Sequence, residues 1–217
     1  VIREIASMGH EIGYHYEDVS LVASQMTCNN GLWSKNRLFS SDILDRAVES
    51  FAENLQALRK YADIKPICMH GSPLSPWDSR LLWTKYNYRD FDLIGEPYLD
   101  IDFNQVAYYT DTGRCWDGDN IVIRDKPEHI ISANLVGRGN ARRAKKTIEI
   151  AVAENHFPKY HSTFDIIAAA KNQALPAKIM FTFHPQRWHN MKIPWLNELI
   201  WQNAKNAVKL GLNVWRR

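Results

Sequence analysis

The chain has 217 residues, 45% of them hydrophobic and 24% charged, with 27 Lys and Arg against 24 Asp and Glu. That make-up excludes a disordered or collagen-like chain, and the near balance of charge gives no electrostatic drive toward nucleic acid or an anionic membrane. No run of about 18 apolar residues occurs, so no membrane span is expected, and three cysteines without a C-x-x-C pair argue against both a disulfide scaffold and a zinc ribbon.

Val1 to Met8 reads as the last turns of a helix, with Ile2, Ile5 and Ala6 on one face and Gly9 as its stop. With no N-cap or signal peptide ahead of it, an element upstream of Val1 is expected. Glu11 to His15 reads as a short buried strand ending at His15, followed by a loop to about Ser40. Ser41 to Arg59 is the clearest helix: Ile43, Leu44, Ala47, Phe51, Leu55 and Leu58 recur at helical spacing. Pro66 to Met69 is a second strand ending at His70-Gly71, and the glycine and prolines of Gly71 to Pro76 predict loop. Val106 to Thr110 is a third strand closed by Asp111, Ile121 to Ile123 a short strand, and Ala141 to Glu154 a helix. Ser162 and Asp165 form a capping-box signature before a helix over Phe164 to Lys171. Lys178 to Phe183 is a fourth apolar strand ending at His184-Pro185, and Pro194 takes the first helical position of a helix over Trp195 to Leu210. Strands alternating with helices predict an α/β layered or barrel architecture, in a single domain over residues 1–217.

Four strands therefore end in His15, His70, Asp111 and His184. In an α/β barrel such ends converge on one face, and His with carboxylate suits a metal ion that keeps an open position. A lone histidine after a strand is more often a hydrogen-bonded structural residue; four such endings together are what point to a site.

Gly9-His10-Glu11-Ile12-Gly13-Tyr14-His15 resembles the G-H-E-I-G-x-H segment of the NodB-homology polysaccharide deacetylases, the carbohydrate esterase family 4 group. Asp111 with Trp116, and Phe183-His184, resemble later motifs of that family. The stretches Met69-His70-Gly71-Ser72-Pro73 and His184-Pro185-Gln186-Arg187-Trp188 look like those of a bacterial subgroup associated with surface-polysaccharide synthesis. The resemblance implies an α/β fold of the distorted (β/α) barrel type, incomplete at its N-terminus. It implies a divalent metal, commonly zinc, whose bound water attacks the acetamide of an N-acetylated sugar, so the expected partner is a carbohydrate substrate.

On this resemblance His15 and His70 are the metal ligands, with Glu17 a weaker candidate. His184 protonates the leaving amine, a task suited to an imidazole with pKa near about 6.5, and Asp111 orients or charge-pairs a catalytic group. Tyr16, Trp116, Arg187 and Trp188 are the expected substrate contacts; for the two tryptophans ordinary core packing is the alternative. The chain departs from the family in two places. The Asp-Asp strand that supplies the base and one ligand would lie upstream of Val1, and four residues beyond His15 stands Val19, which cannot bind metal. Tyr16 replaces the usual small hydroxyl, and the family's arginine motif has no clean counterpart near His70. A non-catalytic carbohydrate-binding or scaffold relative of the same fold is the competing expectation. The basic run Gly137 to Lys146 reads as a solvated helix face, so no nucleic-acid partner is expected, and the cysteine usage points to a reducing, cytoplasmic setting. No pattern in the sequence fixes the oligomeric state.

Overall fold

The computed structural model of the protein describes residues 1–28, 39–71, 77–112, 115–117, 131–136, 144–148, 157–185 and 191–216. In chain order the elements are α1 (Ile2–Ser7), β1 (Ile12–Tyr16), α2 (Asp18–Cys28), β2 (Phe39–Ser40), α3 (Ser41–Arg59), β3 (Ile64–Met69), α4 (Pro97–Asp100), β4 (Ala107–Thr110), β5 (Ile131–Val136), β6 (Ala144–Ile148), α5 (Thr163–Lys171), β7 (Ile179–Thr182) and α6 (Lys192–Arg216). Two short 3-10 helices, Ser79–Thr84 and Tyr88–Phe91, lie between β3 and α4. The chain divides into two compact units, Val1–Ile101 with His129–Ala151 and Asp102–Glu128 with Val152–Arg217.

In the first unit α1 ends where Gly9 takes φ +85°, the left-handed conformation that glycine adopts without steric cost. The helix α3 forms because Ile43, Leu44, Ala47, Phe51 and Leu55 share one face, and all of them are buried. That face meets β1 and the two 3-10 helices through an aromatic cluster: the Phe51 ring lies 5.0 Å from Trp83, 5.2 Å from Tyr14, 5.5 Å from Phe91 and 5.8 Å from Tyr16. Strands β1 and β3 pair in parallel, with His15 opposite Cys68 and Tyr16 opposite Met69. The register slips between Ile12 and Tyr14, beside Pro66, which has no N–H to give the ladder. A Cβ at Gly13 would stand 3.1 Å from the Pro66 carbonyl oxygen, so glycine lets the strands close there.

Two expectations in this unit are corrected. The stretch after His15 is not loop throughout: α2 occupies Asp18–Cys28, anchored by the buried Asp18 carboxylate, which accepts from Tyr14 Oη, Ser50 Oγ and Asn54 Nδ2. The helix expected over 141–154 is replaced at Ala144–Ile148 by strand β6, antiparallel to β5, which itself pairs in parallel with β2. The Ala and Lys residues there favour a helix locally, and non-local strand pairing overrides that preference.

In the second unit β4 and β7 pair in parallel, from Ala107 opposite Ile179 to Thr110 opposite Thr182. A core of Ala107, Tyr109 and Tyr160 gathers Trp116, Phe157, Ile166, Ala169, Leu175 and Ile179 around it. The expected capping box is present, with the Ser162 hydroxyl and the Asp165 carboxylate each satisfying the other's backbone N–H at the start of α5. The helix α6 begins two residues before Pro194 and runs beyond Leu210. Ile121–Ile123, Ser72–Pro76 and residues 149–154 lie outside the described residues. Among the described residues no helix is long and apolar enough to cross a membrane.

Candidate functional site

Parallel pairing of β1 with β3 carries His15 and His70 to one end of the first unit's small sheet. The last rung, from the His70 N–H to the Tyr16 carbonyl, is 2.7 Å long. The two rings stand nearly perpendicular, at 80°, with centroids 5.0 Å apart and His70 Nδ1 3.1 Å from His15 Nε2. Protons can be assigned by elimination. The Cys68 carbonyl only accepts, so His15 Nδ1, 3.1 Å from it, carries a proton. In a neutral ring Nε2 is then an acceptor, and His70 Nδ1 is the donor facing it. The remaining nitrogen of His70, Nε2, lies 3.8 Å from a Glu17 carboxylate oxygen.

This geometry fits two corners of a metal site. Two nitrogens bound to one zinc ion at about 2.0–2.1 Å in tetrahedral coordination lie roughly 3.3 Å apart. The observed 3.1 Å is close to that edge. A metal-binding histidine also characteristically donates its other N–H to a carbonyl or carboxylate, as His15 does to Cys68. Glu17 approaches the nitrogen of His70 that does not face His15. Among the described residues no three His, Cys, Asp or Glu side chains gather as a ligand set.

Beside the ends of β1 and β3 that carry the pair lies a buried polar cluster, reached through the Met69 N–H and Tyr16. Arg80 is fully buried and is clamped by Asp78, Nε to Oδ1 at 3.0 Å and Nη2 to Oδ2 at 2.8 Å. Glu96, also fully buried, accepts the Met69 N–H on Oε1 at 3.0 Å. Burial raises the Glu96 carboxyl to about 7, against the opposing pull of that N–H and of Arg80. Tyr16 belongs to this layer. It has no exposed surface, its hydroxyl accepts from Trp83 Nε1 at 2.8 Å, and burial pushes its pKa well above the ordinary value. The expectation of Tyr16 as a substrate contact is therefore corrected: along β1 the side chains alternate, and the one after His15 points into the core.

In the second unit the ladder of β4 and β7 continues past the strand ends, with the Asp111 N–H donating to the Thr182 carbonyl at 3.0 Å. The Asp111 carboxylate then holds His184 twice, through its backbone N–H at 2.9 Å and through ring Nδ1 at 2.5 Å. An ionised carboxylate only accepts, so Nδ1 carries the proton and Nε2 is left as the nitrogen for proton transfer. The His184 side chain is 27% exposed and that of Asp111 14%, a half-shielded position in which a charge-assisted bond holds its geometry.

Trp116 sits against the core of the second unit, edge-on to Phe181 at 5.6 Å, with its indole N–H donated to Thr163 Oγ1 at 3.0 Å. That is the packing role left open by the sequence. Arg187 and Trp188 lie outside the described residues. Sequence reasoning missed Glu96 and Arg80. The available signals were the Asp78-x-Arg80 spacing and Pro97, which marks Glu96 as the residue capping α4. Comparison of the chain with protein-family models, with curated proteins and with solved structures gives no match.

Proposed function

We propose that the protein is a metal-dependent hydrolase that removes acetyl groups from the nitrogen of an amino sugar or a surface polysaccharide. The observation that carries this reading is the His15–His70 approach, with Nε2 of His15 held in its unprotonated form by the Cys68 carbonyl. A divalent ion such as zinc would supply Lewis acidity at the acyl carbonyl. His15 Nε2 and His70 Nδ1 would hold it, the latter after its ring takes the tautomer protonated at Nε2. In the reaction water adds to the acyl carbon, the C–N bond breaks, and acetate and a free amine result. On the resemblance His184 would give the leaving nitrogen its proton from Nε2; within the second unit Asp111 keeps that ring oriented.

One observation favours the competing reading, a carbohydrate-binding relative without turnover: only two donors, His15 and His70, face each other at the metal position among the described residues. Acetate release from a panel of N-acetylated oligosaccharides, assayed with zinc, separates the two. Turnover that disappears in both His15→Ala and His184→Ala supports the hydrolase. Binding of the same sugars without acetate release supports the binding module.

A further inference from the structure

We infer that Glu96 is a positioning residue for the His15–His70 pair, completing the outer edge of β3 at its His70 end. The inference rests on the proposed role of that pair only where zinc is used as a readout. On its inner edge β3 is paired with β1. On its outer edge it runs beside residues 94 and 95: the Ile94 N–H donates to the Lys65 carbonyl at 3.0 Å, and the Ile67 N–H donates to the Gly95 carbonyl at 3.0 Å. The next outward donor is the Met69 N–H. Here the neighbouring main chain turns away into α4, and the Glu96 side chain takes over as acceptor, at 3.0 Å. A carboxylate thus stands where a backbone carbonyl would continue the ladder, one residue before His70.

The cluster behind Glu96 is built to keep it there. Arg80 is held by Asp78 through two hydrogen bonds, which compensate the charge it presents to Glu96. Arg80 Nη1 and Glu96 Oε2 are both buried without a hydrogen-bond partner. The Tyr98 backbone N–H and the Arg80 charge also act on the Glu96 carboxyl, and its bond to the Met69 N–H links the cluster to the strand end carrying His70. Loss of the acceptor frees Met69, and with it the rung from His70 to Tyr16 that sets the distance between the two rings.

The test uses two mild variants of the full chain. Glu96→Gln keeps an oxygen at the same reach, and Glu96→Asp keeps the charge but withdraws the oxygen by one methylene. The first readout is 15N NMR of the His15 and His70 ring nitrogens in metal-free protein. In the wild type and in Glu96→Gln, His15 Nε2 reads as unprotonated and His70 Nδ1 as protonated. In Glu96→Asp both rings revert to the averaged tautomer signals of free histidine. The second readout is zinc affinity, retained in Glu96→Gln and reduced about 10- to 100-fold in Glu96→Asp. Folded Glu96→Asp with wild-type ring signals overturns the inference, as does folded Glu96→Gln that loses them. Absence of zinc binding at His15 and His70 in the wild type would instead overturn the proposed function, while the metal-free NMR comparison still decides the role of Glu96.

Discussion

Replacing Glu96 by Gln removes a buried titration and should flatten the protein's pH–stability profile. Glu96 is fully buried, one of its oxygens has no partner, and burial lifts its carboxyl from 4.5 to about 7. The folded chain then holds this proton more tightly than the unfolded chain. Below the unfolded value both states are protonated and nothing is lost. As pH rises the unfolded chain ionises first, so stability falls, and the loss is complete once pH passes the folded value. The gap between about 7 and 4.5, at about 1.36 kcal/mol per pH unit, is worth about 3 kcal/mol. The assay is urea unfolding followed by circular dichroism at pH 4 and pH 8. Wild type should lose about 3 kcal/mol more than Glu96→Gln over that interval. Equal losses in the two proteins would refute the reasoning.

Three further outcomes follow from the geometry. Asp111→Asn leaves one acceptor where two are used, so either the His184 N–H or its Nδ1–H loses its partner; the His184 tautomer should shift in 15N NMR, and any deacetylation rate should fall by up to about 10^4-fold, as for a mis-set histidine in a comparable Asp–His arrangement. Phe51→Ala empties the centre of the aromatic cluster and should cost about 3–5 kcal/mol in urea unfolding. Gly13→Ala places a methyl group 3.1 Å from the Pro66 carbonyl and should cost about 1–3 kcal/mol, with faster amide exchange along β1.

What the sequence disclosed was what local pattern controls. The helix α3 has the boundaries its apolar spacing predicts, and the Ser162–Asp165 box opens α5 as expected. The strand ends just before His70 and Asp111 were legible because short apolar runs stop at polar residues, whereas β1 runs one residue past His15 to Tyr16 and β7 stops at Thr182, two residues before His184. Pairing was not legible, since it depends on partners far along the chain: β6 carries helix-forming residues and is held as strand by β5. The helix α2 escaped notice because its buried Val19, Val22 and Ala23 are flanked by Ser20 and Ser24, and because its anchor is Asp18, whose partners include Ser50 and Asn54, more than thirty residues away. Tyr16 looked like a substrate contact through its place beside His15, whereas strand alternation puts neighbours on opposite faces. Nothing in local sequence announces that Glu96 would reach the Met69 N–H, because the bond spans 27 residues that include a pair of 3-10 helices.

The most direct test of the central claim is zinc binding by isothermal titration calorimetry with wild type, His15→Ala and His184→Ala. The account predicts one ion per chain in wild type and in His184→Ala, and loss of that binding in His15→Ala. Zinc bound with the same stoichiometry and affinity by His15→Ala would contradict it.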